Sequence, residues 1–92
     1  MAPASVVAGD VLEFMGADTL GFAHRFYDDF PYGRRVQAFE AYVDLHGTIL
    51  VEDVRTGTFD GTTYVGVQFR AHNGMILWTT FAKNDEEFLR VT

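Results

Sequence analysis

The stretch from Thr62 to Ala82, TTYVGVQFRAHNGMILWTTFA, limits the fold more than any other part of the chain. Val65, Val67, Phe69 and Ala71 alternate with Tyr64, Gly66, Gln68 and Arg70, the period of two that a strand with one buried face requires. Asn73-Gly74 follows, a pair suited to the positive φ angles of a type I′ turn. A two-residue turn there sets His72 opposite Met75 and Phe69 opposite Trp78, so that Trp78 shares the core face with Phe69 and Val67. Met75, Leu77 and Phe81 then point one way, Ile76 and Trp78 the other. Both faces of this second strand are apolar and both need cover. Phe81 is expected opposite Gly66, packed over bare backbone.

The flanking segments build on that hairpin. Thr48 to Phe59 reads as a strand rich in Ile, Val and Thr. It ends at Asp60-Gly61, a second type I′ pair, which sets Val54 opposite Val67 and Ile49 opposite His72. Gly57 is the candidate for a bulge. Residues 36–46, VQAFEAYVDLH, read as a strand with Phe39, Ala41, Val43 and Leu45 on one face; a helix ending at Gly47 is the alternative. Asp10 and Glu13 have capping-box spacing, which predicts a short helix over VLEFMG; a turn followed by a short strand is the alternative. Asp18 caps a second predicted helix through Leu20, Ala23, Phe26, Tyr27 and Phe30, ended by Pro31. The C-terminal AKNDEEFLRVT reads as a polar loop, a helical turn begun at Asn84 or Asp85, and a last strand through Phe88 and Val91.

The expected fold is therefore α+β, with one N-terminal helix or two short ones packed on an antiparallel meander of about four or five strands. Over the C-terminal half, the order strand, turn, strand, helical turn, strand is that of SH3-like small barrels. A half-open barrel is one way for the meander to close. No motif diagnostic of SH3 domains accompanies it. Residues 1–92 are expected to form one small globular domain, with residues 1–8 as a mobile tail or a short edge strand.

Composition narrows the function classes. Thirteen acids against seven bases give a net charge of −6, which argues against direct nucleic-acid binding, where affinity rests on Lys and Arg. It suits a protein partner with a basic surface. No cysteine is present, which removes disulfides, thiolate metal sites and thiol nucleophiles. The N-terminus lacks the charged and apolar regions of a signal peptide, and no apolar run is long enough to cross a membrane, so the expectation is a soluble cytoplasmic protein.

No constellation stands out as catalytic. Ser5 is the single serine, and the threonines fall at strand and turn positions that β-propensity explains. His46 and His72, with Asp44 near them, form the weak candidate for a metal or proton-relay site. Both histidines also precede turns, where polar residues are ordinary. No phosphate-binding glycine pattern occurs, and no cofactor is expected. The partner-binding candidates are an apolar set, Tyr64, Leu77 and Phe81, and a charged set. The latter comprises Asp28 and Asp29 at the expected helix end, the cluster Asp85, Glu86 and Glu87, and Arg34 and Arg35 as the only doubled base.

The sequence thus points to a small acidic non-enzymatic protein-binding module. Its concrete form is an inhibitor or adaptor of the phage-like, mobile-element type, docking on a basic surface of a host nucleic-acid-processing enzyme. A structural subunit of a homo-oligomeric or virion-type assembly, joined through the hairpin edge, is the alternative. A small metal- or His-dependent enzyme comes third.

Overall fold

The computed structural model describes residues 6–14, 26–31, 33–37, 40–43, 47–82 and 89–91. Within them the chain forms one antiparallel sheet of seven strands, with no helix. The strands are β1 (Val11–Phe14), β2 (Phe26–Tyr27), β3 (Arg35–Val36), β4 (Thr48–Phe59), β5 (Thr62–Arg70), β6 (Ile76–Ala82) and β7 (Leu89–Val91), and they lie in the order β3-β2-β6-β5-β4-β1-β7. No helix among the described residues is long and apolar enough to cross a membrane.

The meander β4-β5-β6 is the centre. At Asp60-Gly61 both residues take positive φ, 50° and 79°, and Phe59 pairs with Thr62, as the type I′ reading requires. Val54 pairs with Val67 as expected. The bulge falls at Glu52, not at Gly57: Val51 faces Phe69 while Asp53 faces Gln68. This extra residue lets Ile49 and Val51 both turn inward and bends the strand so that its first residues pair with β1.

The β5-β6 connection differs from the expected two-residue turn. Phe69 pairs with Leu77 and Gln68 with Trp78, one residue out of the predicted register. Ala71 N–H donates to Met75 C=O, and Gly74 N–H to Ala71 C=O. Of the loop residues only Gly74 has positive φ, 87°. This is a three-residue loop with a left-handed glycine at its end. Asn73 is held out of the left-handed region by its contacts. Its Oδ1 accepts from Met75 N–H at 3.0 Å, while its own N–H reaches Ala41 C=O and its amide nitrogen Glu40 C=O. A slip of one residue moves every side chain of the strand to the other face. Leu77 and Thr79 therefore join Phe69 and Val67 in the core, and Trp78 lies on the opposite face.

The predicted N-terminal helix packed on a sheet is corrected by strands. Val11–Phe14 is β1, which pairs with β4 on one side and β7 on the other, leaving Leu12 fully buried. Two ladders satisfy more backbone than one helical turn could, and Asp10 caps a turn instead, its Oδ2 accepting Val7 N–H at 3.0 Å. Val6, in the expected tail, is buried in the core. The end of the second predicted helix is β2: Phe26 pairs with Thr79 on β6 and Val36 on β3. The ring of Phe26 meets that of Phe69 edge-on, with centroids 5.6 Å apart. Residues 15–25, which carry the rest of that prediction, lie outside the described residues.

Of the strand predicted over 36–46, only Val36 lies in a strand among the described residues, and residues 38, 39 and 44–46 lie outside them. After Val36 the chain leaves the sheet, Gln37 C=O accepting Glu40 N–H, and reaches a turn in which Tyr42 has φ 56°. Ala41 is buried there and Tyr42 exposed. At the other end of the chain the expected last strand is β7, while the turn predicted at Asn84 or Asp85 lies outside the described residues.

Candidate functional site

The sheet buries one face in the main core: Leu12, Phe26, Val36, Val51, Val67, Phe69 and their neighbours. On the other face, β4 presents Asp53, Arg55, Gly57 and Phe59, β5 presents Tyr64, Gly66 and Gln68, and β6 presents Trp78 and Thr80. Phe30, in the loop between β2 and β3, folds over this face. A Cβ on Gly66 would lie 2.6 Å from its ring, so bare backbone is required beneath it. Phe30 stacks near Trp78 at 5.5 Å and meets Phe59 edge-on at 6.4 Å; Phe59 in turn lies 6.2 Å from Tyr64. Arg55 places its guanidinium carbon 5.2 Å from the Trp78 ring centroid. Trp78 is consequently 3% exposed although it is not on the main-core face. The expected packing of Phe81 over Gly66 is replaced by Phe30, since Thr80 faces Gly66 and Phe81 pairs with Val65.

These positions change the meaning of the partner-binding candidates. Leu77 is fully buried and offers nothing to a partner. Tyr64 is half-buried beside Phe59. Asp28 and Asp29 are at no helix end. Asp28 Oδ1 accepts Arg34 N–H at 2.7 Å and closes the β2-β3 loop, and Asp29 Oδ1 accepts Phe30 N–H at 2.8 Å. Both acids hold the loop that carries Phe30, a local role that the expected helix end did not give them. The Phe30–Pro31 peptide in this loop is cis. Arg34 is drawn between Asp28 and Glu40, at 3.9 and 3.7 Å. Arg35 stands beside it on β3, exposed. Asp85, Glu86 and Glu87 lie outside the described residues.

The metal candidate divides in the same way. His72 is exposed in the β5-β6 loop, while His46 and Asp44 lie outside the described residues. Among the described residues no three His, Asp or Glu side chains come together as a metal site. The hairpin edge expected to join copies is occupied in part, because β2 pairs with β6 at Trp78 and Thr79.

The structure exposes apolar side chains that sequence reasoning did not single out. Val11 and Leu50 face each other across β1 and β4 on the side away from the core, and Leu50 is 57% exposed. Val7, 60% exposed, stands on the turn that leads into β1. Asp10 and Glu13 lie within two residues of Val11 in the chain, and Glu52 lies two residues from Leu50. The alternation of Leu50 between inward-facing Ile49 and Val51 was available as a signal, but it needed the bulge at Glu52 to be read.

Among the described residues, three arginines are turned to internal use. Beside Arg34, Arg55 pairs with Asp53 at 3.3 Å and Arg70 with Glu52 at 3.5 Å. Such exposed pairs contribute about 0–1 kcal/mol each. Their larger effect is on the surface field, since they place these bases beside acids in a chain of charge −6.

Compared with known protein families, with curated proteins and with solved structures, the chain shows no significant match in any of the three.

Proposed function

We propose that the protein is a non-enzymatic protein-binding module that docks on a basic surface of its partner. The observation that carries this reading is the exposed apolar pair Val11 and Leu50, with Val7 on the adjoining turn, in a strongly acidic molecule. Exposed apolar groups supply the desolvated centre that binding energy requires, and surrounding acids speed encounter with a basic partner. The small size and the charge suit an inhibitor or adaptor, the form in which mobile elements target host nucleic-acid enzymes. Internally paired arginines support protein rather than nucleic acid as the partner.

The test is the association rate of a partner captured from the source cell, followed across a salt series. The rate is expected to fall as salt rises and to fall again on charge reversal at Asp85, Glu86 and Glu87. Val11→Ser with Leu50→Ser is expected to weaken binding through faster dissociation, and both exposed positions leave the core intact. A rate indifferent to salt and to charge reversal removes the basic-surface reading.

A further inference from the structure

β1 covers only the beginning of β4. Gly9 N–H donates to Val51 C=O and Val51 N–H to Asp10 C=O, and there the ladder ends. Gly9, at φ 97°, and the turn from Val7 to Asp10 carry the chain away. From Asp53 to Phe59, β4 is paired with β5 on one edge and with no described strand on the other.

The groups on that open edge follow from the turn. A two-residue hairpin makes its closing pair, Phe59 and Thr62, the hydrogen-bonded one, and bonded pairs then alternate along the strands. The backbone groups of Thr58, Thr56 and Val54 therefore point away from β5. Two contacts agree. The hydroxyls of Thr58 and Thr63 meet at 3.2 Å, as side chains do across a non-bonded pair, and Val54 N–H is taken by its neighbour's Asp53 Oδ1 at 2.9 Å. Thr56 and Thr58, both exposed, direct their amides and carbonyls away from β5, toward an edge where no described strand pairs with them.

Such an edge is a template for an added strand. The geometry points to β4 as the site where an extended, basic segment of the partner adds as an eighth strand in line with β1, a mode that rests on the acidic-docking reading above. Charge decides between occupants. The edge runs from Asp10, beside Val51, to Asp60 in the turn. Its one base, Arg55, is drawn back over Trp78 and onto Asp53, whose carboxylate offsets its charge. A second copy of the chain is the poorer fit. Two β4 edges paired antiparallel about Thr56 bring Asp60 of one copy opposite Glu52 of the other, between molecules of charge −6 each.

The probe is a capped synthetic peptide alternating lysine with threonine and valine, long enough to span Asp53–Phe59, together with the same peptide N-methylated at alternate backbone nitrogens. Both are titrated into the isotope-labelled chain at low salt. The expected result is binding that protects the Thr56 and Thr58 amides from hydrogen exchange and that N-methylation of the paired nitrogens weakens by at least about tenfold. Thr56→Pro, which removes an outward amide and no hydrogen bond to β5, is expected to abolish binding; if that variant does not fold, the N-methylated peptide decides alone. Binding that falls with salt but ignores N-methylation and leaves both amides unprotected overturns the edge site while the acidic-docking reading stands. Failure of every basic peptide and basic protein to bind at low salt overturns both. A free protein that is dimeric by light scattering, with both amides already protected and the dimer dissolved by Thr56→Pro, gives the edge to a second copy and overturns the basic strand.

Discussion

Among the described residues, Thr79 is the one buried side chain whose polar atom finds no partner: its Oγ1 lies in the core on β6, opposite Val67 and Phe26. A buried hydroxyl without a hydrogen bond costs stability, and valine has nearly the same shape with better β-propensity. Thr79→Val is expected to stabilise the fold by about 1 kcal/mol, seen as a higher midpoint in urea at unchanged slope. Tyr42 carries its cost in the backbone. At φ 56° an aromatic side chain crowds the backbone, and at 71% exposure it recovers little by burial. Tyr42→Gly is expected to raise stability by about 1 kcal/mol in the same measurement. A loss there would mean that the ring has packing partners that its exposure does not suggest.

At the scale of elements, the β2-β3 loop is a structural lid for the outer face of the meander. Phe30 shields Trp78, and Asp28 and Asp29 fasten the loop through Arg34 and Phe30 amides. Native Trp78 fluorescence is expected to be blue-shifted and poorly quenched by acrylamide. Phe30→Ala is expected to cost about 3–5 kcal/mol and to shift the emission to the red. Phe69→Leu, on the opposite face, is expected to leave the emission wavelength unchanged in the folded protein. Gly66→Ala acts on the same contact from below, pushing a methyl group into the Phe30 ring at an expected cost of about 1–3 kcal/mol.

Across the whole molecule, stability is expected to follow position in the sheet. β5 is flanked by β4 and β6 over nearly its full length and buries Val65, Gly66, Val67 and Phe69. β3 and β7 are short and lie at the two ends of the strand order. Amide exchange is expected to be slowest in β5 and fastest in β3 and β7, with the outward amides of Thr56 and Thr58 on β4 as fast exchangers inside a stable strand. Slow exchange at Thr56 in the monomer would show that another segment covers the edge.

What the sequence alone determined was local. Asp60-Gly61 closes β4 on β5 in the register read from the chain, because both residues favour positive φ whatever surrounds them. The alternation in β5 likewise named Val65, Val67, Phe69 and Ala71 as buried. Only the tertiary structure decided the register of β5 on β6, where Asn73 is engaged by Glu40 and Ala41 from a distant turn, and with it the faces of Leu77 and Trp78. It also decided that Phe26 and Val11–Phe14 are extended. Their helical spacing and capping signals are worth about a kilocalorie, less than the ladders that β6, β4 and β7 offer them. The open edge of β4 belongs to the same class. Whether a strand lacks a neighbour depends on where β1 ends and the chain turns aside, and no property of residues 53–59 encodes that.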